Sequence, residues 1–150
     1  MISIQFPPPD FRIRMQEGFD EIFDGIRRQW IKLTPEEWVR QNMIAYLVKT
    51  IFVPPMLISI EKEIRVGELK RRFDIVVYDK NGSPWLLVEC KAITVNLSGK
   101  TIGQTLGYLS EMKCPYIVIT NGSYTYGWKI AKGGFQALTQ LPIYEEEIKQ

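Results

Sequence analysis

The sequence predicts an α/β fold in which helices flank a central mixed β-sheet, and three observations predict it. Residues 33–49 read as a capped helix with an apolar stripe, two apolar β-branched runs flank Asn81-Gly82, and a second helical stretch runs straight into the apolar segment Pro115 to Thr120. The resulting order is helix, three antiparallel strands, helix, strand, with one further strand appended, which closes as a sheet between helical layers. At 150 residues the chain is one domain able to bury its own core. We divide it into an N-terminal extension at 1–32, a core at 33–130 and a C-terminal tail at 131–150.

The extension opens on Pro7, Pro8 and Pro9, which favour an extended lead-in, and Phe11 to Met15 then alternates as an edge strand would. Gly18 to Trp30 fits either a short strand pair or an irregular turn. Thr34 is a good N-cap, Pro35 falls at the first helical position, and Glu37 completes a Thr-x-x-Glu capping box. Val39, Met43, Tyr46, Leu47 and Thr50 then recur at helical spacing. After Pro54-Pro55, Leu57 to Val66 alternates with Ile58, Ile60, Ile64 and Val66 on one face. Glu61 and Glu63 take the other face, either solvated or turned toward a site on the neighbouring strand. Gly67 starts a turn, and Lys70-Arg71-Arg72 leads into the next strand. Three adjacent cations suit a nucleic-acid backbone, while a solvated charged turn is the ordinary alternative.

Asn81-Gly82 predicts a two-residue type I′ hairpin, which sets Asp74 directly opposite Glu89. Strand alternation then places Phe73, Ile75, Val77, Leu86, Val88 and Cys90 on an uncharged face, and Asp74, Glu89 and Lys91 together on the other. Two carboxylates about 5 Å apart repel by about 3 kcal/mol at an effective dielectric near 20. Hairpin stability alone would remove one of them. A hard divalent cation held between them turns the repulsion into coordination, and magnesium takes one or two protein carboxylates while keeping several waters. Lys91 beside such an ion is placed to meet the charged oxygens of a phosphate, a combination suited to phosphodiester hydrolysis.

Ser98 caps a predicted helix from about Gly99 to Met112, with Ile102, Leu106 and Leu109 as its buried stripe. Gly99, Gly103 and Gly107 each weaken that helix by about 1 kcal/mol relative to alanine, which predicts close approach to the sheet or to a ligand. Gln104 and Tyr108 lie one turn apart on one face. Pro115 to Thr120 reads as a strand buried on both sides, Asn121-Gly122 as a turn, and Tyr124 to Ile130 as its partner strand. Gly133-Gly134 begins an irregular exit, and Tyr144 to Gln150 is either a short helix or loose.

Composition narrows the chemistry further. Histidine is absent, which excludes histidine-based nucleases, Ser-His-Asp hydrolases, Cys-His proteases and most zinc enzymes. Cys90 and Cys114 form neither a disulfide framework nor a zinc spacing, and no apolar run or signal pattern indicates a membrane or export. The expected setting is therefore reduced and cytoplasmic. A net charge of +2 does not by itself indicate nucleic-acid binding.

Asp74 with Glu89-Cys90-Lys91 resembles the PD-(D/E)xK nuclease signature, and a wider set of residues resembles the N-terminal nuclease domain of type I restriction enzyme R subunits. That set comprises Leu33 to Gln41, Arg72 to Tyr78, Val88 to Ala92, Gln104 with Tyr108, and Val118 to Gly122. Phe73 stands where the superfamily often has proline. The resemblance implies a restriction-endonuclease-like core in the order αβββαβ and Mg2+-dependent cleavage of DNA, with Mn2+ as a substitute metal. It implies Asp74, Glu89 and the Cys90 backbone carbonyl as metal ligands, Lys91 as catalytic cation and Glu37 as an acid near the metal. Arg40 would partner a phosphate or a carboxylate, and Gln104 and Tyr108 would stand at the rim with DNA or water. The R subunits also carry a DNA-translocating motor, and no P-loop motif occurs here. A motor or specificity subunit on another chain is one implied partner. A non-cleaving nucleic-acid-binding or partner-docking module is the competing reading, and a role in repair or mobile-element defence is a third.

Overall fold

The computed structural model describes residues 1–109, 112–132 and 134–145, without the side chains of Val66 and Tyr108. Its elements are β1 (Ile13–Gln16), β2 (Phe19–Asp24), β3 (Gln29–Lys32), α1 (Pro35–Lys49), β4 (Ile58–Val66), β5 (Leu69–Tyr78), β6 (Pro84–Cys90), α2 (Gly99–Leu109), β7 (Tyr116–Thr120), β8 (Thr125–Ala131) and β9 (Gly134–Ala137). A six-stranded sheet has the order β4-β5-β6-β7-β8-β9, and β1-β2-β3 form a separate antiparallel meander. Among the described strands only β6 and β7 run parallel, joined through α2 as a parallel pair requires. This is a restriction-endonuclease-like core with a mixed central sheet and two helices. The extension holds the expected edge strand and, of the two alternatives for the stretch Gly18 to Trp30, the strand pair; β9 replaces the expected irregular exit.

The two faces of the large sheet are covered separately. Val39, Met43 and Leu47 of α1 pack with Ile75, Val77, Val88 and Val118, whereas Leu109 of α2 packs with Phe73, Val76, Leu87 and Ile117. Burying each such side chain stabilises the fold by about 1.5–3 kcal/mol, so the two helices fix the sheet between them. Thr34 caps α1, its hydroxyl accepting the Glu37 N–H at 3.0 Å. Tyr144 is buried edge-on against Trp85 with ring centroids 4.9 Å apart and donates its hydroxyl proton to the Tyr78 carbonyl; the rest of the stretch expected as a short helix or loose, 146–150, lies outside the described residues. Among the described residues no helix is long and apolar enough to cross a membrane.

The β5–β6 hairpin does not use the two-residue turn. Asp79 organises a longer one, its Oδ1 accepting the N–H groups of Asn81 at 2.8 Å and Ser83 at 3.0 Å, and only Gly82 has a positive φ (80°). Tyr78 pairs with Pro84, but Val77 pairs with Leu86, so Trp85 is an extra residue that bulges the strand. The longer turn and the bulge compensate each other. Ile75↔Val88, Val76↔Leu87 and Val77↔Leu86 therefore keep the register that Asn81-Gly82 implied.

The glycines of α2 also depart from expectation. Neither Gly99, Gly103 nor Gly107 has any atom within 4 Å of the position a Cβ would occupy, so close approach to the sheet does not explain them. Gly103→Ala is accordingly expected to stabilise the protein by about 1 kcal/mol through helix propensity, seen as a raised thermal midpoint. A lowered midpoint would show that this face of the helix is covered.

Candidate active site

The site forms where regular pairing around β5 stops. The β5–β6 ladder ends at Ile75↔Val88, and on the other side the β4–β5 ladder passes from Ile60↔Ile75 to Lys62↔Phe73, omitting the Glu61–Asp74 step. Glu61 takes a positive φ of 52° there. Phe73 packs in the α2 layer and Ile75 in the α1 layer, so strict alternation fails at Asp74 between them. The expectation that Phe73 and Ile75 share one face is corrected by this irregularity, while Glu89 lies within reach of the charges of both Asp74 and Lys91. Its physical reason is a long-range ion pair. Arg40 of α1 donates to Asp74 Oδ1 at 2.7 Å, and Asp74 Oδ2 accepts the Cys90 N–H at 2.7 Å. Asp74 thus bonds to the β6 backbone instead of pairing with Glu89 in a regular ladder.

Arg40 is in turn held by Glu37. Its Nη1 donates to Glu37 Oε1 at 2.6 Å, and both residues are buried. Glu37 Oε1 also accepts from Arg27 at 3.0 Å and Oε2 from Gln41 at 3.1 Å. Only half of the capping box therefore exists, because the Glu37 carboxylate turns into this network and Thr34 alone does the capping. Arg27 and Gln41 both reach Asp24 of β2, which is fully buried and also accepts the N–H groups of Ile26 and Arg27. Burial would raise the Asp24 pKa, but those bonds more than offset it and the carboxyl titrates below its usual range. Burial would likewise lower the Arg40 pKa, and the bond to Asp74 with the charges of Glu37 and Asp74 carries it above its ordinary value. Of the two partners expected for Arg40, the structure supplies carboxylates.

Glu89 has the opposite electrostatics. Burial first and the neighbouring charge of Asp74 second push its pKa up to about 7, while Arg71 and Lys91 pull it down less strongly. The nearest cation, Arg71, stands 3.9 Å from Oε2, too far for a hydrogen bond. Glu89 Oε1 is buried and has no hydrogen-bond partner among the described residues. An unpartnered carboxylate oxygen away from water is costly. Here it lies where Asp74 and Lys91 both exert their charges.

The remaining expected residues divide among several places. Lys70, Arg71 and Arg72 lie within β5 and not in the turn before it; Lys70 and Arg72 are exposed, and Arg71 lies over the Phe73 ring at 5.5 Å on its way to Glu89. Gln104 is on the exposed side of α2, and the Tyr108 side chain lies outside the described residues. The Cys90 side chain is buried in the α1-side core, where burial drives its thiol pKa well above the ordinary value. An open cleft of about 660 Å³ runs along the network between β3 and α1, lined by Arg27, Lys32, Glu36, Glu37, Arg40 and Glu61 among others. Nothing in the sequence marks Asp24 and Arg27, because a strand-end Asp followed by Gly-Ile-Arg looks like an ordinary turn.

These residues suit a divalent cation on the donor set alone. Glu89 Oε1 offers an open hard oxygen, and each Asp74 oxygen accepts one hydrogen bond and keeps a second lone pair. Among the described residues no group of three histidine, cysteine, aspartate or glutamate side chains converges on one point. An ion with two carboxylates and several waters needs no third.

The fold and the opened strand pair place the chain in the restriction-endonuclease-like class. Residues 35–142 match the family described as type I restriction enzyme R protein N terminus (HSDR_N), and the chain belongs to that family. Among solved structures it is similar to a candidate nuclease of the DUF820 group from Anabaena variabilis ATCC 29413, with a TM-score of 0.53 at 10% identity over 85% of this chain and 84% of that one. At that identity the likeness concerns the fold. No curated protein matches the chain.

Proposed function

We propose that the chain is a Mg2+-dependent endonuclease domain that hydrolyses phosphodiester bonds in DNA, with Mn2+ able to replace Mg2+. The observation that carries this reading is the buried, unpartnered Glu89 Oε1 beside the charges of Asp74 and Lys91. Asp74 and Glu89 would hold the ion, with the Cys90 backbone carbonyl as a further oxygen. The bound ion supplies a positive charge that polarises the phosphodiester and lowers the pKa of coordinated water.

The protein's own groups do the rest. Lys91 offsets negative charge that develops on the phosphate oxygens. Arg40 and the Cys90 N–H fix both oxygens of Asp74, and Glu37 fixes Arg40, so Glu37 acts as a positioning residue two bonds from the chemistry. The surface cations Lys70 and Arg72 on β5, with Gln104 and Tyr108 of α2, are the proposed DNA contacts. A motor or specificity subunit is the proposed protein partner.

Incubation with supercoiled plasmid and magnesium tests the reading. The parent is expected to nick or linearise the plasmid, and Lys91→Ala and Glu89→Ala to lower the rate by at least about 100-fold. Equal rates in all three, or no cleavage by the parent, would count against it. The bond by which Arg40 already offsets the Asp74 charge at 2.7 Å favours a second reading, a module that binds nucleic acid or a partner without cutting. DNA binding without cleavage and without Mg2+ uptake would select that one.

A further inference from the structure

We propose that the outward face of the β1–β2–β3 meander is a second nucleic-acid contact, one that takes a single-stranded stretch of DNA. The proposal rests on the reading of the chain as DNA-acting, and it names a feature of the substrate that the catalytic carboxylates do not.

The pairings Arg14↔Glu21, Glu21↔Lys32 and Phe23↔Trp30, with strand alternation, put Arg12, Arg14, Phe19, Phe23, Trp30 and Lys32 on one side of this small sheet. The other side carries the fully buried Ile22 and Asp24, where Asp24 bonds to Gln41 of α1, and is exposed toward the β1 edge, at Ile13 and Met15. On the outward side cations and rings interleave. The Arg12 guanidinium lies 4.7 Å from the Phe23 centroid and 5.4 Å from that of Trp30, Arg14 lies 4.3 Å from Trp30, and the Lys32 ammonium 5.7 Å from Phe19. Phe23 and Trp30 also meet edge to face. Arg12, Arg14, Phe19 and Lys32 are all exposed.

Three cations against the single acid Glu21, itself bonded to Arg14 at 2.9 Å, make this face complementary to a polyanion. Guanidinium planes and aromatic rings together form the surface on which unpaired bases stack, and only an unpaired strand offers free base faces. The face is also continuous with the catalytic region. Lys32 lies at its edge and in the lining of the cleft that reaches Glu37, Arg40 and Glu61. A strand held on β1–β3 is therefore led toward the opened β5–β6 pair.

Binding of fluorescent (dT)12 and of a 12-base-pair duplex, measured by anisotropy in EDTA, tests this without any cleavage. Arg12→Gln/Arg14→Gln is expected to weaken (dT)12 binding at least about tenfold at about 50 mM salt and to flatten the slope of log K against log salt by about 1.4. Phe19→Ser is expected to weaken it severalfold with the salt slope unchanged, because stacking releases no counterions. Both variants should keep the parent's thermal midpoint and plasmid-independent Mg2+ uptake. The proposal is overturned if the parent does not bind (dT)12, if both variants bind it as the parent does, or if the losses are equal for strand and duplex. A failed plasmid assay with intact (dT)12 binding would strike the cleavage reading alone.

Discussion

Glu89→Gln is expected to abolish Mg2+-dependent cleavage and, in EDTA at pH 8, to raise stability by about 1–3 kcal/mol, or roughly 3–8 °C in thermal midpoint. The sign follows from the direction of the shift. The folded-state pKa of about 7 exceeds the ordinary value of 4.5, so the folded protein holds this proton more tightly than the unfolded chain. Stability from the protonated group is fully present below about pH 4.5 and is lost as pH rises through about 7. Glutamine keeps the shape, carries no charge and can donate where the orphaned oxygen could not, so the loss disappears. Near pH 4.5 the variant and the parent should therefore converge. Millimolar Mg2+ should stabilise the parent at pH 8 and leave the variant unmoved, since binding to the native state alone raises stability by mass action. A variant no more stable than the parent in EDTA at pH 8 would mean that Glu89 is not the strained group described here.

Arg40→Ala is expected to cost about 3–5 kcal/mol, a drop of roughly 10 °C or more in thermal midpoint. The guanidinium is buried between Glu37 and Asp74, at 2.6 and 2.7 Å, and its removal leaves carboxylates of like charge facing one another. Replacing a buried ion pair by apolar groups can be neutral, but removing one partner leaves the other uncompensated. Arg40→Ala/Glu37→Gln should therefore lose less than the two single changes added together. Denaturant unfolding of the four proteins reads that coupling directly. A loss below about 1 kcal/mol in the single variant would show that Asp74 is held by the Cys90 N–H alone.

The residues of the candidate site were legible in the sequence, and their arrangement was not. Asp74, Glu89 and Lys91 stood out because Asn81-Gly82 fixed a register, and that register holds although the turn does not, because the Trp85 bulge restores it. Thr34-Pro35 announced α1, and the apolar run at Tyr116–Thr120 announced a strand buried on both faces. Local signals of that kind need only neighbours in the chain. The network Asp24–Arg27–Glu37–Arg40–Asp74 joins residues up to 34 positions apart, and no periodicity encodes it. For the same reason Glu37 looked like a capping residue, and strict alternation put Phe73 in the wrong layer. The open space above Gly103 is a different case: weak helix propensity showed that something favours glycine there, and packing does not supply it.

The proposed function requires Asp74 and Glu89 together to hold one divalent cation where β5 and β6 part. Crystals grown above pH 7.5 and soaked in Mn2+, with data collected at the manganese absorption edge, would reveal such an ion. An anomalous peak shared by Glu89 Oε1 and the Asp74 carboxylate is expected, absent from Glu89→Gln crystals treated in the same way. Crystals of the parent with no peak there, and with Glu89 Oε1 bonded to another protein group, would contradict it.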